Sequence, residues 1–107
     1  MARYDDVSSA GRSRIVPFVE GEDPRERHRR RLGAAGAHLP TLQQYCQVQG
    51  WRMRVLNDGH LIEIMAGPHR YEWWPGTAKV IVNKKYERGI HCHDYQQLIR
   101  IIERKVI

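Results

Sequence analysis

The chain has 107 residues, 18 Lys and Arg against 12 Asp and Glu, and a formal net charge of +6 at pH 7. A chain of this length makes one domain with at most a tail, and can hide roughly 60–70% of its unfolded surface without staples. No apolar run reaches the roughly 18 residues of a membrane-spanning helix, and two cysteines, Cys46 and Cys92, are too few for a disulfide framework.

Residues Met1 to Ala10 hold no apolar stretch of the secretory kind, so the expectation is a cytoplasmic protein, of the producing or the host cell, with both thiols reduced. The basic balance favours an anionic partner, nucleic acid first. The excess is spread out: residues 1–38 hold eight Arg against six acids, and residues 39–107 hold ten Lys and Arg against six.

In chain order, residues 1–22 lack periodicity and are rich in small and polar residues. They are expected to form a flexible arm whose one sticky patch is Ile15-Val16-Pro17-Phe18-Val19, suited to an edge strand, to docking on the core or to gripping a partner. Asp23-Pro24-Arg25-Glu26 has the form of a helix start, with Asp23 as cap and Pro24 at the first helical position. This helix is expected over residues 24–32, stopping at Gly33. Apart from Leu32 it has no apolar stripe, so it reads either as an arginine-rich element that orders on phosphates or as a solvated linker. Gly33 to Ala37 reads as a hinge. Residues 1–38 are therefore expected to be a flexible basic arm and residues 39–107 a single α+β domain.

Thr41-Leu42-Gln43-Gln44 opens a short helix with Leu42, Tyr45 and Cys46 on one side, ending at Gly50. The clearest pattern follows, from Trp51 to Ala66: two apolar runs around Asp58-Gly59, the dipeptide that a type I′ hairpin turn selects. With those two residues as the loop, Val55 faces Ile62, Met53 faces Ile64 and Trp51 faces Ala66. On the other side Arg54 falls opposite Glu63, and Leu56 opposite Leu61. A one-residue slip would scramble this sorting.

Gly67-Pro68 ends the second strand, Arg70 to Trp74 makes a third, and Pro75-Gly76 bends the chain into a fourth from Thr77 to Val82 with Ala78, Val80 and Val82 inward. A turn at Asn83-Lys84-Lys85 leads into a short segment from Tyr86 to Ile90. Asp94-Tyr95-Gln96-Gln97 then caps a helix with Tyr95, Leu98, Ile99, Ile102 and Val106 at helical spacing, which must lie across the sheet to bury that stripe. The fold class expected is α+β: an antiparallel sheet of three to five strands packed against a C-terminal helix, with a short helix before the sheet and a flexible basic N-terminal arm.

Three constellations could carry chemistry. His91-Cys92-His93 offers three metal ligands in a row, but structural zinc sites draw on ligands spaced two to four residues apart, and no Cys-x-x-Cys occurs. Cys92 precedes a helix start, where a thiolate is favoured, yet no orienting carboxylate can be placed beside it. Trp73 and Trp74 must point to opposite faces of their strand. One is core, and the other is covered or is a stacking platform among Arg70, Lys79, Lys84, Lys85 and Arg88, the combination that single-strand binders use.

The stretch Tyr71 to Thr77, aromatic-Trp-Pro-Gly-Thr at a strand end, precedes a basic-hydrophobic strand and a Leu-Ile-x-x-Ile helix. Over residues 70–102 it resembles small proteins of tailed phages, which implies a phage accessory product and no particular activity. The element order, with Gly67-Pro68-His69 before a strand and Asn83-Lys84-Lys85 as a turn, resembles a double-stranded RNA-binding domain. That family places a lysine cluster at the start of its last helix. Here the positions read His91-Cys92-His93-Asp94, and Asp94 would repel a phosphate.

The functional expectation is a non-enzymatic, cofactor-free accessory protein that binds nucleic acid and no membrane. Arg27, Arg29, Arg30 and Arg31 engage phosphates, Lys79, Lys84, Lys85 and Arg88 extend the track, and Trp73 or Trp74 stacks. The alternatives are an inhibitor or adaptor that binds a host or virion protein through its Trp/Tyr-rich face, and an enzyme built on Cys92 or on a His91/His93 metal site.

Overall fold

The computed structural model describes residues 21–105. The expected arm up to residue 20, with its Ile15 to Val19 patch, and Val106 lie outside the described residues. Within them the fold is α+β. Helices α1 (Pro24–Ala37) and α2 (Leu39–Gln49) precede strands β1 (Arg52–Leu56), β2 (Leu61–Ala66), β3 (His69–Trp74), β4 (Lys79–Val82) and β5 (Ile90–His91), and helix α3 (Tyr95–Glu103) closes the chain. The strands form one antiparallel sheet in sequence order.

The hairpin register is the one that the apolar alternation dictates. Val55 pairs with Ile62, Met53 with Ile64, Arg54 with Glu63 and Leu56 with Leu61. At the turn Asp58 (φ 52°, ψ 39°) and Gly59 (φ 91°) both have positive φ, as a type I′ turn requires. The His60 N–H closes it on the Asn57 carbonyl at 3.0 Å.

Alternation sorts the sheet into two faces. Ile62, Ile64, Tyr71, Trp73, Val80 and Val82 make the core face, joined by Leu42 and Cys46 of α2, by Leu98, Ile101 and Ile102 of α3, and by Cys92. The Asp94 carboxylate caps α3 by accepting the Gln97 N–H at 2.8 Å. On the outer face the rungs are Arg52 with Met65 and Arg70, Arg54 with Glu63, Glu72 and Ile81, and Trp74 with Lys79 and His91.

The first helix departs from expectation. It runs through Gly33 and Gly36, neither of which has positive φ, to Ala37, so the segment read as a hinge is helical. It is also anchored: Ala35 is buried in the core cluster, and the other end of α1 packs on the Pro75–Thr77 turn, where the His28 ring covers Gly76. The break comes at His38, whose N–H returns to the Ala35 carbonyl at 3.1 Å, with Pro40 opening α2. Each glycine weakens a helix by about 1 kcal/mol. Burying the small Ala35 face and docking His28 offset that cost.

Candidate nucleic-acid interface

On the outer face the side chains are organised by a carboxylate. Glu63 is 3% exposed, and it accepts from Arg54 Nε at 2.8 Å while pairing with the Arg70 guanidinium at 2.5 Å. A buried carboxylate is tolerated only when it is paired in this way. The hydrogen bond from Arg54 comes first, with the charge of Arg70 behind it, in holding the Glu63 carboxyl below the usual carboxylate range against the opposing effect of burial. Glu72, on the next strand, accepts from Arg70 at 3.5 Å and from the Tyr86 hydroxyl at 3.2 Å.

Both acids are thus spent inside the sheet surface, and the guanidiniums are held at its rim. Arg52, Arg54, Met65, Arg70 and Glu63 line an open groove of about 210 Å³. Arg52, Lys79 and Lys84 are exposed. The Lys84 charge also reaches Glu63, as the smallest of the contributions that lower its carboxyl.

The residues singled out in the sequence fall into three groups. Trp73 is the core member of its pair: it is 1% exposed, and its indole N–H donates to the Cys92 carbonyl at 3.2 Å. It is closed to stacking, and Trp74, half-buried on the outer face, is the ring that remains. Lys79, Lys84 and Arg88 are exposed and Lys85 is half-buried; the Lys79 stem lies across Gly89, where a β-carbon would sit 2.4 Å from its Cδ.

The α1 arginines are not a uniform comb. Arg30 makes a two-pronged ion pair with Glu22 at 2.7 and 2.8 Å, Arg31 donates to the Gly76 carbonyl at 3.5 Å, and Arg27 reaches the Glu22 carbonyl at 3.4 Å. Arg29 is exposed. Arg27 and Arg30 thus close on Glu22 just ahead of the helix, and Arg31 helps dock α1 on the turn at Gly76.

The sequence alone does not single out Arg52 and Arg54 for the candidate site, and it offers Arg70 only as part of the basic surround of a tryptophan. The signal was present: the hairpin register already set Arg54 opposite Glu63, and Arg52 and Arg70 are the neighbouring outward positions. A cross-strand register by itself shows a pair, and not that its acid is buried and shared.

At the other sheet edge the His91 and His93 rings lie tilted against each other at 42°, with centroids 4.2 Å apart. Among the described residues no group of three His, Cys, Asp or Glu side chains is placed to hold a metal. Cys92 is fully buried with its thiol 3.4 Å from the Asp94 carbonyl, and burial, reinforced by the Asp94 charge, pushes it well above the usual thiol range. Desolvation cancels the thiolate preference that the helix start suggested. No helix among the described residues is long and apolar enough to cross a membrane.

No protein-family model matches this chain, and neither a curated protein nor a solved structure is significantly similar to it.

Proposed function

We propose that the chain binds single-stranded nucleic acid across the outer face of its sheet. Arg52, Arg54, Arg70, Lys79 and Lys84 take the phosphates, and Trp74 offers a ring to a base. The observation that carries this reading is the Glu63-centred network, which preorganises Arg54 and Arg70 on a groove shared with Arg52. Arginine's fixed fork of donors suits phosphate oxygens, and holding it in place beforehand lowers the ordering cost of binding. Five cations against two acids leave this surface positive. An aromatic ring within a basic track is the arrangement of sequence-tolerant single-strand binders.

A salt titration of binding to labelled single- and double-stranded oligonucleotides tests it. Single strands bind more tightly than duplex. The Arg52→Gln, Arg54→Gln double variant lowers the slope of log K against log salt by about 1.4, at roughly 0.7 per phosphate contact on a single strand. Absence of binding at low salt, or a slope that the double variant leaves unchanged, overturns the proposal.

A further inference from the structure

The β2–β3 hairpin has two sides. Its Met65–Arg70 rung faces the arginine groove, while the next rung, Ala66–His69, faces away from it. There a second cleft opens at the end of the core, about 430 Å³ in volume. Trp51, Ala66, Pro68, Tyr71 and Ile102 supply its apolar walls, and Gln49, His69, Glu103 and Lys105 its polar groups. Both the size and the mixture are those of a small-molecule site.

The polar groups have assignable roles. The Asn83 side-chain oxygen accepts the Arg70 N–H at 2.9 Å, which orients the amide so that its nitrogen meets His69 Nδ1 at 3.2 Å. His69 Nδ1 is therefore an acceptor in the neutral ring, and the proton sits on Nε2 as a donor. Glu103 spends one carboxylate oxygen on the Tyr45 hydroxyl, leaving the other to accept. Tyr45 in turn packs edge-on against Trp51, with ring centroids 5.7 Å apart, and so braces the aromatic wall.

We infer that this cleft binds a nucleobase. Trp51 offers a ring edge or face to a planar heterocycle. His69 Nε2–H and the Gln49 amide donate, and Glu103 and Gln49 accept, matching the mixed donors and acceptors of a base edge. The Glu103 carboxylate and the Lys105 amine cancel in charge, which suits a neutral ring and gives no advantage to a phosphate. The phosphate chemistry lies one rung away, in the arginine groove. A strand lying in that groove therefore turns over Gly67-Pro68 and seats its terminal base beside Trp51. This extension to a strand end rests on the proposed function, whereas the base site itself does not.

The test uses free adenosine and cytidine, a short single strand, and the same strand with an abasic residue at one end or the other. Nucleosides are expected to shift the Trp51 indole and Gly67 amide resonances in ¹H–¹⁵N spectra. One of the two abasic ends is expected to weaken strand binding about tenfold, the worth of one stacked base. His69→Ala is expected to lower nucleoside affinity while the arginine-dependent salt slope is retained. Strand binding that ignores both abasic ends, together with nucleosides that leave Trp51 unmoved, overturns the inference and leaves the proposed function standing. Nucleoside binding without strand binding does the reverse: it upholds a base site, with a free base as its occupant, and overturns the proposed function.

Discussion

The His28 ring sits so close over Gly76 that a β-carbon added there would stand 2.3 Å from its Cε1. This contact joins the amino-terminal half of α1 to the turn between β3 and β4, and the same ring lies 5.8 Å from that of His60 in the β1–β2 turn. Gly76 has ordinary backbone angles, so only space demands a glycine. Gly76→Ala is expected to destabilise the protein by about 1–3 kcal/mol, the cost of overpacking a tight contact. His28→Ala in the same chain is expected to recover most of that loss. Denaturant unfolding of the two single variants and the double variant checks it, and additive losses would contradict the contact.

Glu63 sets an acid limb on the stability curve. The Arg54 hydrogen bond and then Arg70 lower its carboxyl in the folded state below its ordinary value near 4.5, although burial opposes them. A carboxyl so depressed adds stability above its unfolded value, and that contribution is lost as pH falls through the folded value. Glu22 shifts the same way through its hydrogen bond with Arg30. Stability is therefore expected to fall below about pH 4.5. Glu63→Gln is expected to cost about 1–3 kcal/mol at neutral pH and to make the acid limb shallower. Unfolding measured between neutral and acid pH in both chains tests this.

The hairpin was legible because two independent signals agreed: the Asp58-Gly59 turn chemistry and the alternation of Met53, Val55, Ile62 and Ile64. The α3 start was legible for a similar reason, with a capping Asp94 just ahead of an apolar stripe. The extent of α1 was not. Gly33 is a stop by propensity alone, and what overrode it were long-range contacts, Ala35 with the core and His28 with Gly76, that leave no periodic trace. Pro40, at the start of α2, is the residue that marks the true break. The arginine groove was half legible: the register showed the Arg54–Glu63 pair, but not that Glu63 is buried and shared with Arg70, which is what turns a surface pair into a scaffold.

The α1 arginines are expected to separate by role. Arg30 is tied to Glu22, whose carboxylate is 8% exposed, so Arg30→Ala leaves a shielded acid without its partner. It is expected to lower stability by about 1 kcal/mol, whether or not nucleic acid is present. Arg29 is exposed, so Arg29→Ala is expected to change stability by less than about 0.5 kcal/mol. Thermal unfolding of the two variants distinguishes a structural arginine from a surface one.

The two cysteines are expected to be silent reporters of unfolding. Cys46 is 1% exposed, with its thiol pushed up to about 11 by burial, and Cys92 is fully buried and shifted the same way. Only the thiolate attacks a disulfide reagent, so at neutral pH neither thiol in the native chain presents a reactive form or a path to one. Labelling by an aromatic disulfide reagent is expected to track the opening of the fold and to accelerate in denaturant in parallel with unfolding. Gly76→Ala is expected to speed it exponentially with the stability lost, between about fivefold and more than a hundredfold for 1–3 kcal/mol. Prompt labelling of Cys92 in native buffer would contradict its burial, and would return a reactive thiol at the start of α3 to consideration.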